Sequence, residues 1–125
     1  MHDLMIPGTD SLPEVSFKTS GDFRLYGRAL PEDASKFFNP IFDWVREFTG
    51  EMYNIEINLD YFNTSVSKKL LELFRIVENK PGEKKVNVKW MYEDGDDEML
   101  ESGEIYKELL PGFHFTFHKY AEFSR

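Results

Sequence analysis

In the middle of the chain, an alternating strand pattern runs directly into a helical pattern. Apolar residues occupy every second position over residues 53–59, which places them on one face of a β-strand. Over residues 65–78 the apolar residues recur at spacings of three and four, which is the period of a helix. The two patterns meet at residues 60–68, so the sequence predicts a strand-to-helix junction there.

Four other apolar segments alternate in the same way and are predicted strands: residues 15–17, 23–25, 86–92 and 113–117. The turn signal Ser20-Gly21-Asp22 lies between the first two of them, which predicts a β-hairpin. Residues 1–12 are predicted to form an irregular lead-in, and residues 119–125 a tail.

Helical spacing predicts one further helix before the central strand and one near the end of the chain. The first begins at Pro31-Glu32-Asp33. Pro40 removes a backbone donor, so we predict a break near Asn39 and a helix proper over residues 40–49. The last helix spans residues 96–109 and is weakened by Gly103. The predicted order along the chain is therefore β-β-α-β-α-β-α-β.

The clean alternation of every strand also predicts how the sheet is covered. A sheet with helices on both faces has nearly continuous apolar strands, whereas a sheet covered on one face alternates. We therefore predict a single α/β domain (α+β-like) over residues 1–125, with a five-stranded mixed sheet and its helices mainly on one face. The open face would carry polar side chains: Glu56, Asn58, Lys89, His114 and His118.

Charge and composition argue against several classes of function. The 125 residues carry a formal net charge of −8 and contain no basic patch, so no nucleic-acid partner is predicted. No segment approaches the ~20 apolar residues of a membrane span, and the start of the chain does not resemble a signal peptide, so no membrane partner is predicted. The chain has no cysteine, which excludes thiolate chemistry and fits the cytoplasm.

Small polar side chains crowd the predicted junction: Asn63, Thr64, Ser65 and Ser67. One interpretation of Thr64 is a helix N-cap, a role that Thr, Ser and Asn commonly fill. The other is a phosphorylation site, because the open N–H groups and the dipole at a helix start favour a phosphate. Ser65 fits an acceptor equally well on spacing alone, so the residues by themselves leave these alternatives open.

Other kinds of site find little support in the spacing. His114 and His118 lie four residues apart on one predicted strand, about 13 Å at 3.3 Å per residue, which is too far to share a metal ion. Ser65, His114 and Asp60 could form a hydrolase triad on paper, but the chain has no G-x-S-x-G motif. Neither a metal nor a cofactor is therefore predicted.

Three segments carry a likeness to a known family. They are Met5-Ile6-Pro7-Gly8-Thr9 near the start, Tyr61-Phe62-Asn63-Thr64-Ser65 with Lys68 in the middle, and Val88-Lys89-Trp90-Met91-Tyr92 before an acidic turn. With these motifs the chain resembles the SiaC family of bacterial regulatory phosphoproteins over nearly its whole length. The resemblance implies an architecture and a switching logic like those of STAS-type anti-sigma-factor antagonists.

The resemblance also implies a function, that of a switch protein and not of an enzyme. A dedicated kinase phosphorylates the threonine of the Asn-Thr-Ser element, and a PP2C-type phosphatase removes the phosphate. The unphosphorylated form binds and activates an output protein, which is a diguanylate cyclase in the best-known system. Carried over to this chain, the phosphoacceptor is Thr64. The expected contacts for the kinase and the output protein are its neighbours Tyr61, Phe62, Asn63, Ser65 and Lys68.

Two other functions stand as alternatives to the switch. A small-molecule-binding module would use the polar face of the sheet, and a small hydrolase would use Ser65. A ligand-induced rise in melting temperature would indicate the first. Loss of a hydrolytic activity in Ser65→Ala would indicate the second.

Overall fold

The computed structural model describes residues 1–121, in which strands and helices follow one another largely in the predicted order. The strands are β1 (Leu4–Ile6), β2 (Glu14–Phe17), β3 (Asp22–Ala29), β4 (Met52–Phe62), β5 (Lys85–Glu93) and β6 (His114–Tyr120). The helices are α1 (Ala34–Glu47), α2 (Thr64–Glu78) and α3 (Asp97–Leu109). Within the described residues, no helix has the length and apolar character needed to cross a bilayer.

The strands form one mixed sheet in the order β1-β2-β3-β4-β5-β6. The pairs β1/β2 and β2/β3 are antiparallel, which confirms the predicted hairpin. The pairs β3/β4, β4/β5 and β5/β6 are parallel, each joined by a helix. Strand β4 therefore lies inside the sheet, with a parallel neighbour on each side, and its carboxyl end leads directly into α2.

The prediction of five strands is wrong, because the described chain forms a sixth, β1, within the predicted irregular lead-in. In β1, Leu4 pairs with Phe17 and Ile6 with Val15 of β2. A strand of three residues is too short to display a period, so only its partner reveals it. The last strand also runs further than predicted, to Tyr120. Residues 122–125 of the predicted tail lie outside the described residues.

The predicted break at Pro40 is also wrong, since α1 runs without interruption from Ala34 to Glu47. Asp33 caps it, with a side-chain oxygen that accepts a hydrogen bond from the Lys36 N–H at 3.1 Å. Pro40 lies on the exposed side of the helix, where a carbonyl without its helical donor can be hydrated. Buried Phe38 and Ile41 anchor the helix on either side of it, so packing offsets the local penalty.

Alternate strand residues and all three helices form one hydrophobic core. A row of paired residues crosses the core face of the sheet: Phe23, Ile55, Val88 and Phe115. Phe48, the C-cap residue of α1, packs on Phe23, and Phe74 of α2 packs on Phe115, with ring centroids 5.3 and 6.0 Å apart. Tyr106 of α3 packs on Phe74 in turn, at 5.5 Å. All three helices therefore lie on one face of the sheet, as the alternation predicts.

Candidate functional site

The junction between β4 and α2 is built by Asn63. Its backbone is extended, with φ −90° and ψ 178°, so the strand direction continues up to this residue and the helix begins after it. The Asn63 side-chain oxygen accepts a hydrogen bond from the Val66 N–H at 3.0 Å. This bond satisfies one of the N–H groups that a helix start leaves open. Asn63 is therefore the N-cap of α2.

The interpretation of Thr64 as the N-cap is therefore wrong, and its side chain is left free of a structural role. Thr64 is the first residue of α2, and it is exposed. Its hydroxyl has no hydrogen-bond partner among residues 1–121. A hydroxyl in this position can be reached and modified without breaking a contact that holds the fold.

The neighbours of Thr64 divide into exposed residues and residues that hold the junction in place. Tyr61, Ser65 and Lys68 are exposed, and Lys68 lies about one helical turn after Thr64. Phe62 is half-buried and packs on the core, with its ring perpendicular to that of Trp90 at a centroid distance of 6.3 Å. Phe62 and Asn63 therefore support the junction, while the other three residues line its surface.

A contact that the sequence did not indicate fixes the first turn of α2. The hydroxyl of Tyr106, which reaches across from α3, donates to the Ser67 carbonyl at 2.9 Å and lies 3.0 Å from the Ser67 hydroxyl. Burial raises the pKa of Tyr106, and the bond to Ser67 offsets this only in part. Ser67 is thus engaged in the fold, which leaves Thr64 and Ser65 as the exposed serine and threonine hydroxyls of the junction. Local periodicity could not have shown a partner 39 residues away.

Carboxylates gather at the same edge of the sheet as the junction. Burial raises the pKa of Tyr120 at the end of β6, and the negative charges of Asp60, Glu93 and Asp96 raise it further. These residues come from the ends of β4 and β5 and from the start of α3. Because the carboxyl ends of parallel strands meet at one edge of a sheet, the junction has an acidic border.

Replacing Asn63 by alanine tests the assignment of the cap. Asn63→Ala should lower the free energy of unfolding by about 1 kcal/mol, because the Val66 N–H loses its acceptor. Thr64→Ala is the matched control and should change it by less than about 0.5 kcal/mol. Urea denaturation followed by circular dichroism measures both variants. A larger loss for Thr64→Ala than for Asn63→Ala would contradict the assignment.

The open face of the sheet carries a second concentration of polar groups, centred on Glu56 of β4. The Glu56 carboxylate accepts a hydrogen bond from the Tyr26 hydroxyl and pairs with Arg24 Nε at 3.2 Å and Lys89 Nζ at 3.4 Å. Partial burial opposes the ionisation of Glu56, but Tyr26, Lys89 and Arg24 together outweigh it and lower the pKa of this carboxyl. The predicted polar face therefore holds an organised charge cluster.

Glu56→Gln is expected to flatten the acid side of the stability profile. Because the pKa of Glu56 is lowered in the folded protein, its stabilising contribution is present above the ordinary value of 4.5 and is lost as the pH falls through the folded value. The effect should be below about 1 kcal/mol, since Arg24 is half exposed. Urea titrations at several pH values measure it, with Glu83→Gln in an exposed turn as the control. Equal flattening in both variants would contradict the role of Glu56.

The structure does not bring together the residues of the hydrolase triad. His114 is at the start of β6 and pairs with Asn87, near the start of β5. Ser65 instead follows the carboxyl end of β4, at the opposite edge of the sheet. The two groups cannot exchange a proton across the length of the sheet. Among residues 1–121, no three His, Asp or Glu side chains are grouped as metal ligands.

Together these features describe an exposed surface at the start of α2, where the Thr64 hydroxyl follows a capped helix start and Tyr61 is exposed three residues earlier. The family comparison shows the class of protein to which this surface belongs. The chain belongs to the SiaC family of regulatory phosphoproteins, whose model matches residues 6–120.

Solved structures agree with this assignment. The chain is similar to one in a crystal structure of the diguanylate cyclase SiaD in complex with its activator SiaC from Pseudomonas aeruginosa, with a TM-score of 0.82 and 26% identity over 94% of this chain and 100% of that chain. It is also similar to SiaC of the same organism, with a TM-score of 0.77 and 27% identity over 98% and 100% of the two chains. For the crystal structure of apo-SiaC from Pseudomonas aeruginosa, the TM-score is 0.78 and the identity is 28%, over 94% of this chain and 99% of that chain. Curated proteins yielded no match.

Proposed function

We propose that residues 1–125 form one regulatory domain that acts as a phosphorylation-controlled switch in bacterial cyclic-di-GMP signalling. A partner kinase phosphorylates Thr64, and a PP2C-type phosphatase removes the phosphate. The unphosphorylated form binds and activates an output protein, which we take to be a diguanylate cyclase. The observation that carries the proposal is the hydroxyl of Thr64, which is exposed at the first position of α2 and has no hydrogen-bond partner among residues 1–121. In this proposal the protein is controlled by phosphorylation in the way that STAS-type antagonists are, and it does not itself catalyse a reaction.

The helix start favours phosphorylation without a change of fold. A phosphoryl group adds roughly −1.5 to −2 charges and three acceptor oxygens. At the first residue of α2 it faces the positive end of the helix dipole, and Lys68 lies about one turn further on. The acidic border, to which Asp60 and Glu93 contribute, does not offset the negative charge of the phosphate. The modification therefore changes the charge of the surface while the cap on Asn63 keeps the helix in place.

The surface around Thr64 suits a protein partner. Tyr61, three residues before Thr64, is 51% exposed, and tyrosine is among the side chains that most often anchor protein interfaces. Ser65 and Lys68 extend the exposed surface along α2. Support for the nature of the partner comes from the SiaC structure solved with the diguanylate cyclase SiaD. We expect this protein to act in the cytoplasm, which its lack of cysteine fits.

Mapping of the phosphorylated residue tests the proposal. After co-expression with the candidate kinase, intact-mass and peptide mass spectrometry should locate one phosphate on Thr64, and treatment with a PP2C-type phosphatase should remove it. Thr64→Ala should not be phosphorylated, whereas Ser65→Ala, with the neighbouring exposed hydroxyl removed, should be phosphorylated like the wild type. Phosphate found only on Ser65 would contradict the proposal.

A further inference from the structure

The open face of the sheet, opposite the helices, contains a groove of about 570 Å³. Two rows of paired side chains cross it. One row is Arg24, Glu56, Lys89 and Thr116, and the other is Asp22, Asn54, Asn87 and His114. The volume lies within the roughly 300–1,000 Å³ range of small-molecule sites. The residues at the start of α2 do not line this groove, so it is separate from Thr64.

On one flank of the groove, Arg24 is held in place with hydrogen-bond donors to spare. Its Nε donates to Glu56 at 3.2 Å, and its guanidinium lies 4.3 Å from the centroid of the Tyr26 ring. These two contacts fix the plane of the guanidinium. The terminal nitrogens keep donors in the forked geometry that matches a carboxylate or a phosphate. Lys18 lies on the same flank.

The opposite flank carries Lys89 of β5 and His114 of β6. Lys89 Nζ is 3.4 Å from Glu56 and has three donors in all. Between the flanks lies a chain of side-chain amides: Asn87 donates to Asn54 at 3.1 Å, and Asn54 donates to Asp22 at 3.2 Å. The centre of the groove is thus polar and ordered, while positive charge stands on both sides of it.

Two carboxylates also line the groove, and both already have partners within it. Glu56 is engaged by Tyr26, Arg24 and Lys89. Asp22 accepts hydrogen bonds from Ser20 at 3.1 Å and from Asn54. Three cations, Lys18, Arg24 and Lys89, line the groove against these two carboxylates, so the groove has an excess of one positive charge on a chain whose formal net charge is −8. A locally positive groove on an acidic protein indicates an anionic occupant.

We propose that this groove binds a small organic dianion that spans β4. Arg24 and Lys89 stand on the strands either side of β4, so their backbones are roughly 10 Å apart at 4.8 Å between strands. One oxyanion of the ligand meets the Arg24 fork, the other meets Lys89 and His114, and the polar middle meets Asn54 and Asn87. The shared chemistry is a pair of carboxylates or phosphates, one reaching Arg24 and the other reaching Lys89, whose charged ends approach each other at Glu56.

Titrations followed by the backbone amide signals in NMR test the proposal with defined probes. Suberate supplies two carboxylates, and fructose 1,6-bisphosphate supplies two phosphates. Acetate and inorganic phosphate are their single-ended controls. At least one dianion should shift the signals of Asn54 and Asn87 in a saturable way and bind at least tenfold more tightly than its single-ended control. The tighter dianion identifies the carboxylate or the phosphate class.

Matched charge variants distinguish the groove from general attraction to the protein. Arg24→Gln and Lys89→Gln should each weaken the tighter dianion roughly tenfold, since each loses a charge-assisted hydrogen bond. Arg28→Gln removes the same charge from an exposed position on β3 outside the groove and should leave binding unchanged. Equal weakening by Arg28→Gln, no advantage of either dianion, or unsaturable shifts would each overturn the proposal. The amide spectra of the variants report directly that they remain folded.

Discussion

Thr64→Glu is expected to bind the output diguanylate cyclase roughly 100-fold more weakly than Thr64→Ala. Thr64 is exposed in the free protein, three residues after the exposed Tyr61. A partner that covers both residues takes the side chain of Thr64 out of water. Alanine loses only a hydroxyl there, whereas glutamate brings a charge whose desolvation Lys68, about one turn away, offsets only in part. Thr64→Ala should therefore bind the cyclase whether or not the kinase is present.

Titration calorimetry with the purified cyclase measures the two affinities, and cyclase activity reports the consequence. Thr64→Gln is the control, because it matches glutamate in size without its charge and should bind far better than Thr64→Glu. All three variants should unfold at similar temperatures, since Asn63 supplies the cap and an acidic residue is favourable at a helix start. Equal affinity of Thr64→Ala and Thr64→Glu would count against the switch.

Gly103→Val is expected to lower the free energy of unfolding by about 2–3 kcal/mol. A Cβ placed on Gly103 would lie 2.6 Å from Trp90 Cδ1, 2.7 Å from Trp90 Nε1 and 2.8 Å from Phe117 Cε1. Trp90 is fully buried and donates from its indole N–H to the Met99 carbonyl at 2.9 Å. The indole cannot move away without breaking this bond or disturbing the core, so α3 must shift outward instead.

Chemical denaturation monitored by tryptophan fluorescence measures this loss. Gly112→Val, placed in the turn after α3, is the matched control. A Cβ on Gly112 would meet no atom within 4 Å, so that variant should remain close to the wild type. A Gly103→Val protein as stable as Gly112→Val would show that close contact between α3 and Trp90 does not contribute to stability.

Sequence reasoning located the strand-to-helix junction but not the role of each residue in it. Asn63 and Thr64 both have the small polar side chains that cap helices, and local pattern does not distinguish them. The distinction depends on which residue keeps extended backbone angles, and in the folded chain that is Asn63. Once the cap was assigned, Thr64 was left with an unengaged hydroxyl. The family resemblance had selected the same residue as the phosphoacceptor, and its phosphorylation stays a prediction.

Gly103 shows the same limit in a helix. The sequence identifies Gly103 only as a weak helix former, because helix propensity is a local property that does not show what the residue packs against. In the structure it faces Trp90 and Phe117 so closely that a Cβ would not fit. Pro40 is the opposite case. It disfavours a helix locally, but α1 continues through it because Phe38 and Ile41 pack in the core on either side.

The sequence by itself determined the features that depend on period: which of the longer segments are strands or helices, that the sheet is mixed, and that its helices cover one face. A period of two or 3.6 residues assigns each side chain to a face without reference to any distant segment. The tertiary structure alone decided the features that depend on distant partners. These are the pairing of β1, the bond between Tyr106 and Ser67, and the groove between Arg24 and Lys89. Each joins residues far apart in the chain, and no local pattern records that they meet.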